Sequence, residues 1–148
     1  MFFYLVRHGE AMSSADHPAR PLSPAGRAGV ERIAQLARER DVKISVIHHS
    51  GILRAKETAA ILAEHLTPPL GVKQCAGLLP EDDPAFARAD LEEAQDSIML
   101  VGHLPHLNRL AALLVANDPN SLVVEFSPST MACCAKEGGR WKIAWKLA

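Results

Sequence analysis

Three short apolar runs that stop abruptly at clusters of histidine, arginine and serine constrain the fold of this chain more than any other feature. Phe2 to Val6 ends in Arg7-His8-Gly9-Glu10, Ile44 to Ile47 ends in His48-His49-Ser50, and Ser97 to Val101 ends in Gly102-His103. Short unbroken apolar runs are what a strand buried on both faces requires. Helical patterns lie between them. Ser23-Pro24 offers an N-cap and a proline at the first helical position, and Val30, Ile33, Leu36 and Ala37 follow at helical spacing, up to Arg40. Leu53 to Leu66 carries Ala55, Ala59, Leu62 and Leu66 on one face and is stopped by Pro68-Pro69. Glu81-Asp82-Asp83-Pro84 opens a helix to Ala94, and a further helix starts at Leu104 or Pro105 and runs to Ala116.

Apolar strands alternating with amphipathic helices predict an α/β fold: a three-layer sandwich whose mixed, mostly parallel sheet is covered by helices on both faces. Val72 to Ala76 is expected as an edge strand. Leu122 to Phe126, Met131 to Ala135 and Trp141 to Trp145 are expected as closing strands, with Gly138-Gly139 as a hairpin turn. The 148 residues fit a single domain over 1–148, with no repeat or linker to divide it.

Sixteen Lys+Arg against seventeen Asp+Glu give a net charge of −1. Such a chain has no global basic field for nucleic acid or an anionic membrane, so any anion site is local. The longest apolar run after the N-terminus, Leu110 to Ala116, is far short of the ~20 residues of a membrane helix. No signal peptide is recognisable in the first residues. Cys75, Cys133 and Cys134 are odd in number and lack metal-ligand spacing, so free thiols and a cytoplasmic location are expected. No interaction module beyond the domain is visible, and a monomer is expected.

If the three strands are parallel, their polar ends lie side by side on one edge, where such sheets bind ligands. Arg54, in the first turn of its helix, joins them. Two arginines and at least two histidines then meet in one crevice. Helix N-termini add positive potential there, and the arginine fork matches phosphate oxygens. The constellation fits a tetrahedral dianion.

Three motifs in this order also resemble those of the histidine phosphatase superfamily, which includes phosphoglycerate mutase. Leu5-Val6-Arg7-His8-Gly9-Glu10 resembles its Arg-His-Gly signature. Ser50-Gly51-Ile52-Leu53-Arg54-Ala55-Lys56-Glu57-Thr58-Ala59 resembles its second motif, and Val101-Gly102-His103 its third. Arg20-Pro21-Leu22-Ser23, followed by Gly26, resembles the segment leading into the first helix of small SixA-type phosphohistidine phosphatases, whose length this chain shares. Gly51 stands where the family usually has Pro, Glu57 where it has Gln, and Gly29-Val30 where it has Gln-Ala. The mutases' active-site insertion has no counterpart in the short stretch Leu78 to Pro84.

The resemblance implies a phosphoglycerate mutase-like fold and a metal-independent phosphatase without a cofactor. His8 is then the nucleophile that forms a phosphohistidine intermediate, with Arg7, Arg54 and His103 completing the catalytic set. Arg7, Arg54 and His103, protonated when phosphate is bound, clamp the phosphoryl oxygens, with Arg20 as an additional phosphate ligand or a plain surface arginine. Glu81, Asp82 and Asp83 are a solvated helix start or, for one of them, a general acid. The favoured substrate is phosphohistidine on a partner protein. A small phosphate ester is the alternative within the class, and a non-catalytic phospho-ligand module is the rival outside it. No nucleic-acid or membrane partner is expected.

Other residues carry blander expectations. His48 and His49 are read as strand-end packing and supporting hydrogen bonds, and His17 and His65 as solvent-exposed. His103 and His106 share a helix face but lack aligned carboxylates, so no metal site is expected. Cys133 and Cys134 are expected on opposite faces of the sheet, Trp141 and Trp145 on the same one.

Overall fold

The computed structural model describes residues 1–148. The chain runs β1 (Phe2–Arg7), α1 (Pro24–Glu39), β2 (Val46–His49), α2 (Leu53–Leu66), β3 (Val72–Gln74), α3 (Pro84–Glu93), β4 (Ile98–Gly102), α4 (His106–Ala116), β5 (Met131–Glu137) and β6 (Arg140–Leu147). One sheet holds all six strands in the order β3-β2-β4-β1-β5-β6. The first four in that order pair in parallel, whereas β5 and β6 close the sheet antiparallel.

The period of a strand divides the core. Tyr4 and Val6 of β1 face one side, where Val30, Ile33 and Ala37 of α1 and Ala55, Ala59 and Leu62 of α2 pack on them. Phe3 and Leu5 face the other side, against Leu91 of α3 and Leu107, Leu110 and Ala111 of α4. The sheet is therefore the middle of three layers, as the alternation of elements predicts. Ser23 does cap α1, its hydroxyl accepting from Gly26 N at 2.9 Å, with Pro24 in the first turn. Asp83 caps α3, with Pro84 in the first turn.

Three expectations are corrected. Leu122 to Phe126 forms no strand. The place beside β5 is filled by β6, and the segment instead lays Val124 and Phe126 onto the second core face. Trp141 and Trp145 lie on opposite faces, because Cys133 pairs with Trp145 while Cys134 pairs with Ile143. Ala144 is thus a bulge, and one extra residue reverses the facing of all that follow. Trp141 stacks near Phe3 with ring centroids 5.3 Å apart, and Trp145 near Tyr4 at 5.9 Å. His65 is half-buried and bonded to Glu31 of α1 at 2.5 Å. Cys133 and Cys134 do face opposite cores, and all three cysteines are free thiols.

Candidate active site

The parallel register sets the polar strand ends beside one another. Arg7 pairs with Gly102, and His49 with Val101. His8 leaves β1 held on both sides: its amide donates to Gly102 O at 3.0 Å, and its carbonyl accepts from Ser129 N at 3.2 Å. Gly9 then passes under α1. A Cβ there would lie 2.7 Å from Val30 Cγ2 and 3.0 Å from Gly26 O, and one on Gly26 would lie 1.9 Å from Glu10 O. Only glycine lets strand end and helix approach this closely. Gly9 N donates to Thr58 Oγ1 at 3.1 Å, and the same hydroxyl donates to Arg54 O at 2.8 Å. One buried threonine thereby ties the Arg7-His8-Gly9 turn to the helix that carries Arg54.

This frame determines the state of His8. Its Nδ1 lies 2.7 Å from Gly9 O. A carbonyl only accepts, so Nδ1 carries the proton and Nε2 keeps its lone pair. Arg54 Nε donates toward that Nε2 at 3.4 Å. Burial pushes the imidazole pKa down to about 4. The Gly9 hydrogen bond opposes the shift, and the charges of Arg54, Arg7 and Arg20 add to it. At neutral pH the ring is therefore uncharged, with a free Nε2 lone pair among three guanidinium groups.

The ring of His103 lies 5.1 Å from that of His8. It is 1% exposed, and its Nε2 is 2.6 Å from Ser50 Oγ. Burial, then His8, Arg54 and His106, hold its pKa at about 3. His103 is therefore neutral at pH 7. Arg7 Nη1 donates to Phe126 O at 3.0 Å, so the segment that failed to become a strand braces a site arginine. Arg20 sits in the left-handed region at φ 49°, with Nε donating to Met12 O at 3.1 Å. Its charge acts on both His8 and Arg54, which puts it at the rim of the same cluster.

The acidic candidates do not join this cluster. Asp82 Oδ2 accepts from Leu79 N and Asp83 Oδ1 from Ala85 N, each at 2.9 Å, and Glu81 is exposed. No carboxylate is among the charges acting on His8; Asp82 and Asp83 act on His106 instead. His106 is fully buried, and no third His, Cys, Asp or Glu converges with it and His103. His49 Nδ1 accepts from Gly51 N at 3.0 Å, the supporting bond expected of it. Gly51 itself has φ +92°, a conformation closed to the proline that the family usually carries there.

Sequence reading did not foresee what Ser50, Thr58, Glu57 and the Phe126 carbonyl do. The first three were visible inside the second motif, but their partners are Gly9 just after β1, His103 just after β4, and Leu22 in the loop before α1, whose amide donates to Glu57. The molecule's two largest clefts lie beside the edge strand β6 and between α3 and the loop that precedes it, neither lined by Arg7, His8, Arg54 or His103. Chemistry rather than concavity marks this edge.

Comparison with known proteins agrees with the geometry. The family model of the histidine phosphatase superfamily (branch 1) matches residues 3–78. An uncharacterised protein of Picosynechococcus sp. is 36% identical over 119 residues, covering 75% of this chain and 71% of the relative. The structure of the protein histidine phosphatase SixA complexed with tungstate superposes with a TM-score of 0.87 at 25% identity, covering 100% of this chain and 97% of that one. The alpha-ribazole phosphatase of Shigella flexneri shares the fold, with a TM-score of 0.77 at 18% identity over 97% of this chain and 94% of its own. With its motifs at the ends of β1, β2 and β4 and its sheet in the same arrangement, the chain belongs to the histidine phosphatase superfamily.

Proposed function

We propose that the protein is a phosphatase acting through His8 and that its substrate is phosphohistidine on a partner protein in a reducing cytoplasm. The observation that carries this reading is the His8 Nε2 lone pair, facing Arg54 with Arg7 and Arg20 close by and no carboxylate among the charges acting on it. Phosphoryl transfer needs positioning and charge neutralisation above all, and three guanidinium groups supply the charge. His8 Nε2 attacks phosphorus, the new P–N bond forms, and the bond to the leaving imidazole breaks. The departing nitrogen takes a proton near neutral pH without a dedicated acid. Water then attacks the phosphoryl group on Nε2, releasing inorganic phosphate and restoring neutral His8. Arg7, Arg54 and Arg20 hold the oxygens throughout, and His103 gains its proton as the dianion binds.

An alkoxide is a poor leaving group and requires a proton donor, so a site without a carboxylic acid favours the labile P–N bond. The SixA structure is that of a protein histidine phosphatase, which supports the same substrate class. The fold shared with alpha-ribazole phosphatase keeps a small phosphate ester as the second reading. Purified protein assayed against phosphohistidine protein, phosphoserine peptide, sugar phosphates and nucleotides separates them. The expected preference in kcat/KM for phosphohistidine protein is at least about two orders of magnitude, the size of a general-acid contribution. Equal or reversed values would overturn it in favour of the small-ester reading, and no turnover of any substrate would leave a binding module.

A further inference from the structure

Arg20 adopts a backbone conformation that non-glycine residues rarely hold, with φ 49°. Such a conformation persists only where the surroundings over-determine it. The loop around it, residues 11–22, is largely exposed. Its own ties are internal: an Ala11–Leu22 bridge, Met12 N donating to Pro21 O at 2.7 Å, His17 N to Ser13 O and Arg20 N to His17 O at 2.9 Å each, a Ser13–Asp16 turn, and Arg20 Nε on Met12 O. One side chain ties the loop to α2. Glu57 Oε1 accepts from Leu22 N at 2.8 Å, two residues beyond Arg20. Its other oxygen, Oε2, is held by Arg27 Nη2 of α1 at 2.5 Å. Glu57 lies three residues after Arg54, on the neighbouring turn of the same helix face.

We infer that Glu57 is a positioning residue for Arg20: by gripping Leu22 N it sets the Arg20 loop against the helix that presents Arg54, so that both guanidinium groups meet one phosphoryl group. The inference rests on reading the site as one that takes a phosphoryl group. Arg27 has a distinct part. A carboxylate one turn from Arg54 would otherwise compete for the site's arginines, and Arg27 occupies the oxygen that Leu22 leaves open. A glutamine at 57 can still accept from Leu22 N through its amide oxygen but offers Arg27 only a repelling NH2 group.

A double-mutant cycle tests this, read as tungstate affinity and as kcat and KM for an aryl phosphate. R20A is expected to weaken tungstate binding about tenfold or more, as for loss of a charge-assisted hydrogen bond. E57A is expected to weaken it about three- to tenfold, mostly through KM, with kcat within about twofold. E57Q is expected to stay within about twofold of the parent, and E57A added to R20A to cost nothing further. The Leu22 amide should lose hydrogen-exchange protection in E57A and keep it in E57Q. Equal losses from E57A with and without Arg20 would overturn the inference, as would an E57Q variant as impaired as E57A. An R20A variant with unchanged affinity also overturns it, since the clamp then delivers nothing. Parent protein that neither binds tungstate nor turns over substrate instead defeats the underlying phosphoryl-site reading.

Discussion

Two regions flank the same edge of the sheet and use their charges in opposite ways. On one flank Arg7, Arg20 and Arg54 converge on His8 and leave donors directed at the site. On the other, the loop after β3, the carboxylates of Asp82 and Asp83 turn onto backbone amides of their own segment. They act on His106 and not on His8. The chain as a whole is nearly neutral, so its electrostatic character at this edge is a matter of placement. Acid groups spent on helix and turn caps leave the basic groups unneutralised for a dianion.

The comparison breaks first at its centre. His8→Ala is expected to abolish turnover, and a brief incubation with labelled substrate should trap an acid-labile, base-stable phosphoenzyme in the parent and none in the variant. Residual activity near the parent's would remove His8 from its role. On the basic flank, Arg7→Ala and Arg54→Ala are each expected to lower kcat/KM by about 10²–10³, as for loss of an oxyanion donor. Effects of tenfold or less in both would mean that the arginines are not the clamp.

The low pKa values of His8 and His103 sharpen the comparison, because no carboxylate raises them. An imidazole at its ordinary pKa of ~6.5 would be about 90% protonated at pH 5.5, costing about tenfold in kcat/KM. With His8 at about 4, protonation of His8 should cost kcat/KM less than about twofold between pH 7.5 and 5.5, and proton uptake at His103 on binding acts in the opposite direction, so no fall toward pH 5.5 is expected once substrate ionisation is corrected for. NMR titration of the His8 and His103 rings checks it directly, and a transition near pH 6.5 would contradict the burial argument. The stability effect has a definite sign. Both folded pKa values lie below the unfolded value, so the unfolded chain binds more protons in acid. Stability is therefore full above about pH 6.5 and falls as pH drops toward 4, by up to ~1.4 kcal/mol per pH unit for each group. Tm should be lower at pH 5 than at pH 7.

Smaller effects follow. Ser50→Ala strips His103 Nε2 of its 2.6 Å partner and leaves a buried polar atom unpaired, at ~1–3 kcal/mol. A lower Tm and an approximately tenfold loss of activity are expected, with partial rescue by Ser50→Thr. Glu81→Gln, Asp82→Asn and Asp83→Asn should change phosphohistidine hydrolysis less than about twofold, since Asn caps as well as Asp. If one of them slows only phosphoester hydrolysis, the acidic flank does supply a proton donor and the contrast between the flanks is lost.

Much of this architecture was legible in the chain. Burial on both faces forces the apolar runs of β1 and β4, and a polar cluster after such a run can only be a strand end. His8, Arg54 and His103 could therefore be grouped before their distances were known. Trp141 and Trp145 were misplaced because period two holds only while the ladder is regular, and nothing local announces the bulge at Ala144. Leu122 to Phe126 reads as a strand by composition, but pairing depends on which edge is free, and β6 takes it.

What the sequence by itself determined is the set of local identities: which segments bury both faces, where Ser23-Pro24 starts a helix, and which residues end the strands. Those follow from side-chain period and capping chemistry, which act within a few residues. Tertiary structure alone decided the pairings across the chain. Thr58 holds Gly9, Ser50 holds His103, Glu57 holds Leu22, and the Phe126 carbonyl holds Arg7. Each joins residues 35 to 119 positions apart, and a hydrogen bond at that separation exists only because the strand order brings its ends within 3.1 Å of each other.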